Sequence, residues 1–348
     1  MKEKFNLKLK DIIKYNNYAK CLQKCNRAVD FKFSVQSYDF ESASHIRHTI
    51  KTILDLKIPY VKRTKHFYIA ERGKVRCITP IDIEDRVTQK VLCDNVLIPA
   101  FSSSLITDNG ASMVGKGTEF ARQRVNLFIE RAKREYGPEN VYALVFDFKS
   151  YFNSIRHKEC LHVLREHIED EDIIRLVMGI IESYQRPEIE GIQDPELRGR
   201  ELKKLNNHER EGICLGSQIS QVMAVAVPNH FDHYIKDVCR IKYYYRHMDD
   251  GLILSNSKKE LIKLKAQLAK VAAQYGLQFN EKKTVVLKAS DGFTFLKIKY
   301  RIHNGKTIKR LTHSGIARER RKLTKFVNKV KENKMSMDDV YASMQSWL

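Results

Sequence analysis

The sequence predicts an α+β fold, and three observations carry the prediction. Helix-period segments dominate both ends of the chain, and β-type runs fall between them. One of these, residues 141–148, is a nearly continuous apolar run holding a single carboxylate, the pattern of a strand covered on both faces. The 348 residues allow two or three packed subdomains. With 43% apolar and 30% charged residues, a disordered or fibrous chain is excluded.

Taken in order, residues 1–60 read as helical, with Asp39 an N-cap ahead of a segment that ends near Pro59. Two short β-type runs, 67–70 and 75–78, are joined by the polar link Glu71-Arg-Gly-Lys74 and read as a hairpin. A helical pattern over 83–97 is ended by Pro99. A loop punctuated by glycine at 110, 115 and 117 leads into a helix over 118–135. Beyond the strand at 141–148, a helical region starts near Lys158, and the polar stretch 186–210 reads as a surface excursion. Gly212 to Gly216 opens a helix running to about Cys239. The β-type runs 241–247 and 251–255 flank Met248-Asp-Asp250 as a tight hairpin. Leu261, Leu264, Leu268, Val271 and Tyr275 recur at spacings of 3 and 4, an amphipathic helix. Residues 293–298 return to strand, and Ile316, Leu323, Phe326, Val327 and Val330 line one stripe of a final helix whose other faces are basic.

Lys and Arg outnumber Asp and Glu by 63 to 42, a formal charge of +21 that points to a polyanionic partner, nucleic acid first. Residues 281–334 alone hold 17 basic against 4 acidic side chains, so the excess is concentrated near the C-terminal end. The N-terminal residues lack an apolar core of signal-peptide length, and the longest small apolar run, 222–227, is far too short to span a membrane. Seven scattered cysteines fit a reducing compartment, and the expected location is cytoplasmic. Cys21 and Cys25 have metal-ligand spacing without a second pair, and read better as buried small hydrophobes.

Asp147 and the pair Asp249-Asp250 carry the chemistry. A charge in a buried strand is costly unless paired or bound to a cation, and an Asp-Asp pair between two strands is by itself ordinary turn chemistry. If the strands are neighbours, three carboxylates meet on one sheet edge, where they repel unless cations compensate them. All-oxygen ligands suit Mg²⁺, and two such ions can activate an attacking hydroxyl and stabilise a leaving pyrophosphate.

Six segments in order resemble the motifs of the reverse transcriptases, over roughly residues 60–300. They are Arg72-Gly-Lys-Val-Arg-Cys-Ile-Thr-Pro80, Asp147-Phe-Lys-Ser-Tyr-Phe152, the loop and helix from Gly212 to Gln221, His247-Met-Asp-Asp250, the segment from Gly276 to Thr284, and 293–298 in the place of the primer grip. The resemblance implies a right-hand polymerase: N-terminal helices and fingers over 1–140, a palm of antiparallel sheet plus helices over 141–300 with an excursion at 158–211, and a helical basic thumb over 301–348. It implies that Asp147, Asp249 and the Phe148 carbonyl hold two Mg²⁺ (Mn²⁺ as a substitute), with Asp250 in support. Lys74, Arg76 and Lys283 would neutralise phosphate charge, Phe148, Phe152, Leu215, Gly216 and Gln221 would line the nucleotide, and His247, Met248, Phe295 and Leu296 would meet the primer. The partners so implied are template RNA, a DNA or RNA primer and deoxynucleoside triphosphates.

Leu215-Gly216, where most relatives have Gln-Gly, resembles the reverse transcriptases of diversity-generating retroelements, which are bacterial or phage-borne, copy adenines with errors and work with a small basic accessory protein. A leucine cannot hydrogen-bond a nucleotide or template as glutamine would. Two departures, His247 for the usual Tyr and Lys297 for the usual Gly, leave a phage-defence or retron-like enzyme as the alternative. A non-catalytic RNA-binding scaffold would be expected to have lost its carboxylates, and an RNA-dependent RNA polymerase would not place the bulky Phe152 beside the sugar.

Overall fold

The structure is a computed structural model, and it describes residues 4–55, 67–71 and 74–345. Mixed helix and antiparallel sheet is what it holds. Strands β1 (Phe67–Glu71) and β2 (Lys74–Ile78) pair with each other, Phe67 opposite Ile78. The linking residues Arg72 and Gly73, like Pro59, lie outside the described residues.

The central sheet is built from β3 (Tyr142–Asp147), β4 (Tyr243–His247), β5 (Asp250–Ser255) and β6 (Val285–Lys288), in the order β4-β5-β3-β6. Successive side chains point to opposite faces, and both faces are covered. Leu144, Phe146, Tyr244 and Ile253 join the larger core with Phe231, Leu261, Leu268 and Phe279. Ala143, Tyr243, Tyr245, Leu252 and Leu254 face a second core with Ala121, Val125 and Phe128 of helix Thr118–Tyr136. That double burial is why the 141–148 run has no polar alternation. A third sheet, β7 (Phe293–Phe295), β8 (Ile298–His303) and β9 (Lys306–Leu311), packs into the second core through Phe293, Phe295 and Tyr300. Since β8 crosses residue 300, the change from sheet to the basic helix His313–Lys331 comes after β9.

Four local expectations are corrected. Asp39 caps nothing: it lies in the last turn of helix Phe33–Phe40, accepts a hydrogen bond from Asn26 Nδ2 at 3.3 Å, and helix Ser42–Leu54 follows Glu41. Pro99 does not stop the helix before it. A π turn, Cys93–Leu97, widens the coil so that the proline ring enters the first turn of Ile98–Ser102 without striking the preceding carbonyl. The helix expected to run to Cys239 breaks at Pro228 into Gln218–Ala226, Asn229–His233 and a π turn, Tyr234–Val238. Residues 293–298 are not one strand, because Leu296 and Lys297 take φ of +47° and +67° and turn the chain from β7 into β8. Lys297 thus holds the left-handed conformation for which glycine is the usual residue. Cys21 is buried, as expected of a small hydrophobe, whereas Cys25 is only half-buried.

Candidate active site

The carboxylates meet because of strand register. β3 and β5 pair antiparallel with Asp147 directly opposite Asp250, and β4 and β5 pair with His247 opposite Asp250. Between them Met248 takes a φ of +55° and closes a two-residue turn that carries Asp249. The Phe148 N–H donates to the Asp249 carbonyl at 3.0 Å, which fixes the turn against the end of β3. On the other side, Asn280 N–H donates to the Asp147 carbonyl at 2.7 Å and Lys149 N–H to the Gln278 carbonyl at 2.8 Å. Close packing also sets the register: a Cβ on Gly251 would lie 2.0 Å from Phe146 Cζ, so only glycine lets Asp250 sit where it does.

Electrostatics at this edge are those of crowded negative charge. Burial, then the charges of Asp249 and Asp147, push the Asp250 carboxyl up to about 7, with Lys283 opposing. Asp147 is only 6% exposed; its Oδ1 accepts from Asn280 Nδ2 at 3.2 Å, and its Oδ2 forms an ion pair with Lys283. Burial works to lower the Lys283 pKa, and the hydrogen bond and charge of Asp147, with Asp250 and Asp249, outweigh it and raise it. An all-oxygen donor set whose members repel one another suits a hard divalent cation. The residues present therefore fit a Mg²⁺ or Mn²⁺ centre.

The remaining residues fall into two groups. Phe152 sits on the short helix Tyr151–Ser154, half-buried, and its carbonyl accepts from Ile213 N–H at 2.9 Å, which ties the loop carrying Leu215 and Gly216 to the end of β3. Leu215 is half-buried and Gln221 exposed on helix Gln218–Ala226. Gly216, at φ +119°, approaches Thr79 so closely that a Cβ would be 3.2 Å from its carbonyl oxygen. Phe148 offers only its backbone, since its ring is buried and stacked on Phe279 and Tyr151. Lys74 and Arg76 lie on β2, in the separate two-stranded sheet, and their side chains are outside the described ones. In the region expected to meet the primer, Phe295 is 2% exposed with its ring edge-on to Tyr245, so its side chain serves the core, while Leu296 is half-exposed at the turn. Met248 packs partly against the larger core. Burial and the neighbouring Arg246 charge lower the His247 pKa, and its Nδ1 is buried without a partner among the described residues.

Two supports escaped the sequence reading. Arg246, fully buried, donates to Asp232 from Nε and Nη2 at 2.7 Å each, from Nη2 to the Val225 carbonyl at 3.0 Å, and from Nη1 to the Met248 carbonyl at 3.1 Å. The Tyr244 hydroxyl donates to the same Asp232 at 2.6 Å. Burial opposes the Arg246 charge, and the Asp232 carboxylate overcomes it. A cation inside the apolar run Tyr243-Tyr-Tyr-Arg246 is the same signal that singled out Asp147, read with the opposite sign. Gln89, also buried, accepts from Ser217 Oγ at 2.9 Å and Gln218 N–H at 3.2 Å, anchoring the start of the helix beyond Gly216.

A family model described as reverse transcriptase (RNA-dependent DNA polymerase) matches residues 61–300. No curated protein matches the chain. Among solved structures, it is similar to apo telomerase from Candida tropicalis truncated from its C-terminal domain, with 13% identity, a TM-score of 0.50, and 71% of this chain and 55% of that one covered. It is also similar to telomerase from Candida albicans in complex with a TWJ fragment of telomeric RNA, with 11% identity, a TM-score of 0.50, and 74% and 48% covered. The chain thus spans about half the length of these structures, and at such identity the likeness is one of fold.

Proposed function

Because the chain belongs to the reverse transcriptase family, we propose that it is an RNA-directed DNA polymerase that extends a primer 3′-OH with deoxynucleotides on an RNA template. One observation carries the proposal: Asp147 and Asp250 stand opposite each other in the β3–β5 register, with Asp249 at the adjoining turn. Asp147, Asp249 and the Phe148 carbonyl would hold two divalent ions, Mg²⁺ in the first place, with Asp250 beside them. When bound, such ions lower the pKa of an attacking hydroxyl and stabilise a leaving pyrophosphate.

The chain's own residues do the rest. Lys283, already drawn to the carboxylate edge, neutralises phosphate charge as a mobile point charge, joined by Lys74 and Arg76. Phe152 stands against the sugar and excludes a 2′-OH by bulk, which favours deoxynucleotides. The exposed left-handed Gly216 lets a base or backbone approach closely, and Leu215 leaves that approach without a side-chain hydrogen bond. The last feature supports error-prone copying, hence a role in a diversity-generating retroelement with an accessory protein, in a bacterial or phage setting. We place the fingers at 1–140 and the palm from 141, and begin the thumb after β9, with the basic helix His313–Lys331 gripping duplex backbone through phosphates. The test is primer extension on an RNA template with deoxynucleotides and Mg²⁺, wild type beside Asp249→Ala. Extension by the wild type alone is expected. Equal extension by both, or a preference for ribonucleotides, overturns the reading.

A further inference from the structure

Away from the carboxylate edge, helix His157–His167 and helix Asn229–His233 bring together three side chains that the proposed reaction does not use. His162 and Glu166 lie one turn apart on the first helix, on one face, and His230 arrives from the second. His162 Nε2 is 3.3 Å from Glu166 Oε1, and His230 Nε2 is 2.8 Å from Glu166 Oε2. One ligand atom from each of the three lies within 4.8 Å of the others. The imidazole rings are 6.1 Å apart, and His230 stacks flat on Tyr275, at 6.0 Å and 7°, which holds its ring plane.

Two imidazoles and a carboxylate are a donor set for zinc rather than for Mg²⁺. Bonds of about 2.0–2.2 Å in a tetrahedral shell put ligand atoms about 3.3 Å apart; His162 Nε2 and Glu166 Oε1 already have that spacing, and the set as a whole, within 4.8 Å, draws closer to share one ion. The side chains of His162, Glu166 and His230 are 60%, 33% and 39% exposed, so an ion can reach them from solvent.

We propose that His162, Glu166 and His230 bind one Zn²⁺, with water in the fourth position, and that the ion clasps helix His157–His167 to helix Asn229–His233. The site is independent of the polymerase reading, since none of its ligands stands at the carboxylate edge. Metal-stripped full-length protein titrated with Zn²⁺ alone by calorimetry tests it, with Co²⁺ absorption reporting the coordination. One equivalent is expected to bind, with a rise in Tm and a tetrahedral Co²⁺ spectrum. His162→Ala and His230→Ala should each weaken binding tenfold or more; His162→Ala should leave the metal-free Tm unchanged, because that side chain is largely exposed, whereas His230→Ala also loses the stacking on Tyr275 and should lower it slightly. Absence of saturable binding overturns the proposal. So does one-equivalent binding of the same affinity in both variants, which would put the ion elsewhere, for instance at the cysteines.

Discussion

Asp147 and Asp232 are both nearly sealed from solvent, yet their surroundings differ in kind. Asp232 is fully buried behind the β4–β5 hairpin, and each of its oxygens is met by donors from Arg246, Tyr244 or Asn109. Asp147 stands at the sheet edge with Asp250 opposite and Asp249 at the adjoining turn, and Lys283 forms an ion pair with it. In one place the charge is cancelled within the fold. In the other, negative charge is left in excess, and Asp250 registers it in a carboxyl raised to about 7. The contrast separates an ion pair that holds a fold from a cluster whose repulsion is useful only when something arrives to relieve it. The two regions are joined, because Arg246 also donates to the carbonyl of Met248, the residue before Asp249.

Substitution at each region should therefore fail differently. Asp249→Ala is expected to lower primer extension by about 10³ or more, with a Tm equal to or above that of the wild type, since it removes a like charge; a large loss of Tm would place Asp249 in the structural class instead. Asp232→Ala should do the reverse first, destabilising the fold by about 3–5 kcal/mol because it strands a buried guanidinium, as read by denaturant unfolding. Replacing the pair together, Asp232→Leu with Arg246→Met, should recover most of that stability while extension stays depressed, because the hydrogen bond to the Met248 carbonyl is gone. Full recovery of activity would remove Arg246 from any positioning role. Gly251→Ala should cost about 1–3 kcal/mol by driving a methyl into Phe146 and reduce extension through displacement of Asp250. The smallest effect expected is at Leu215→Gln, which adds one hydrogen bond worth about 1 kcal/mol and so should cut misincorporation opposite template adenine about fivefold; unchanged error rates would detach Leu215 from fidelity.

Much of the site was legible from residues alone. An aspartate ending a doubly buried strand and an Asp-Asp turn between two β-type runs needed only the pairing of β3 with β5 to become one edge. The amphipathic stripe beginning at Leu261 became helix Lys258–Gln274, packed through Leu261 and Leu268. Less legible were features that depend on distant partners. Pro99 breaks a helix by local rules, and only the π turn before it shows how the coil continues. Nothing local marks a partner for Arg246, because Asp232 lies fourteen residues away on a different element. Lys297 looked like a departure from a glycine position, and its left-handed backbone shows that the turn keeps its shape around a lysine. His162, Glu166 and His230 could not be joined at all, since an i, i+4 pair on a helix surface is commonplace until a third ligand from another helix faces it.

The sequence by itself determined the alternation of buried and exposed positions, the carboxylates and the basic C-terminal segment, because these follow from side-chain chemistry and short-range sterics. Only the tertiary structure decided which charges cancel and which accumulate. That outcome depends on strand register and helix packing, where a shift of one residue would turn Asp147 to the opposite face and leave Asp250 facing a different neighbour.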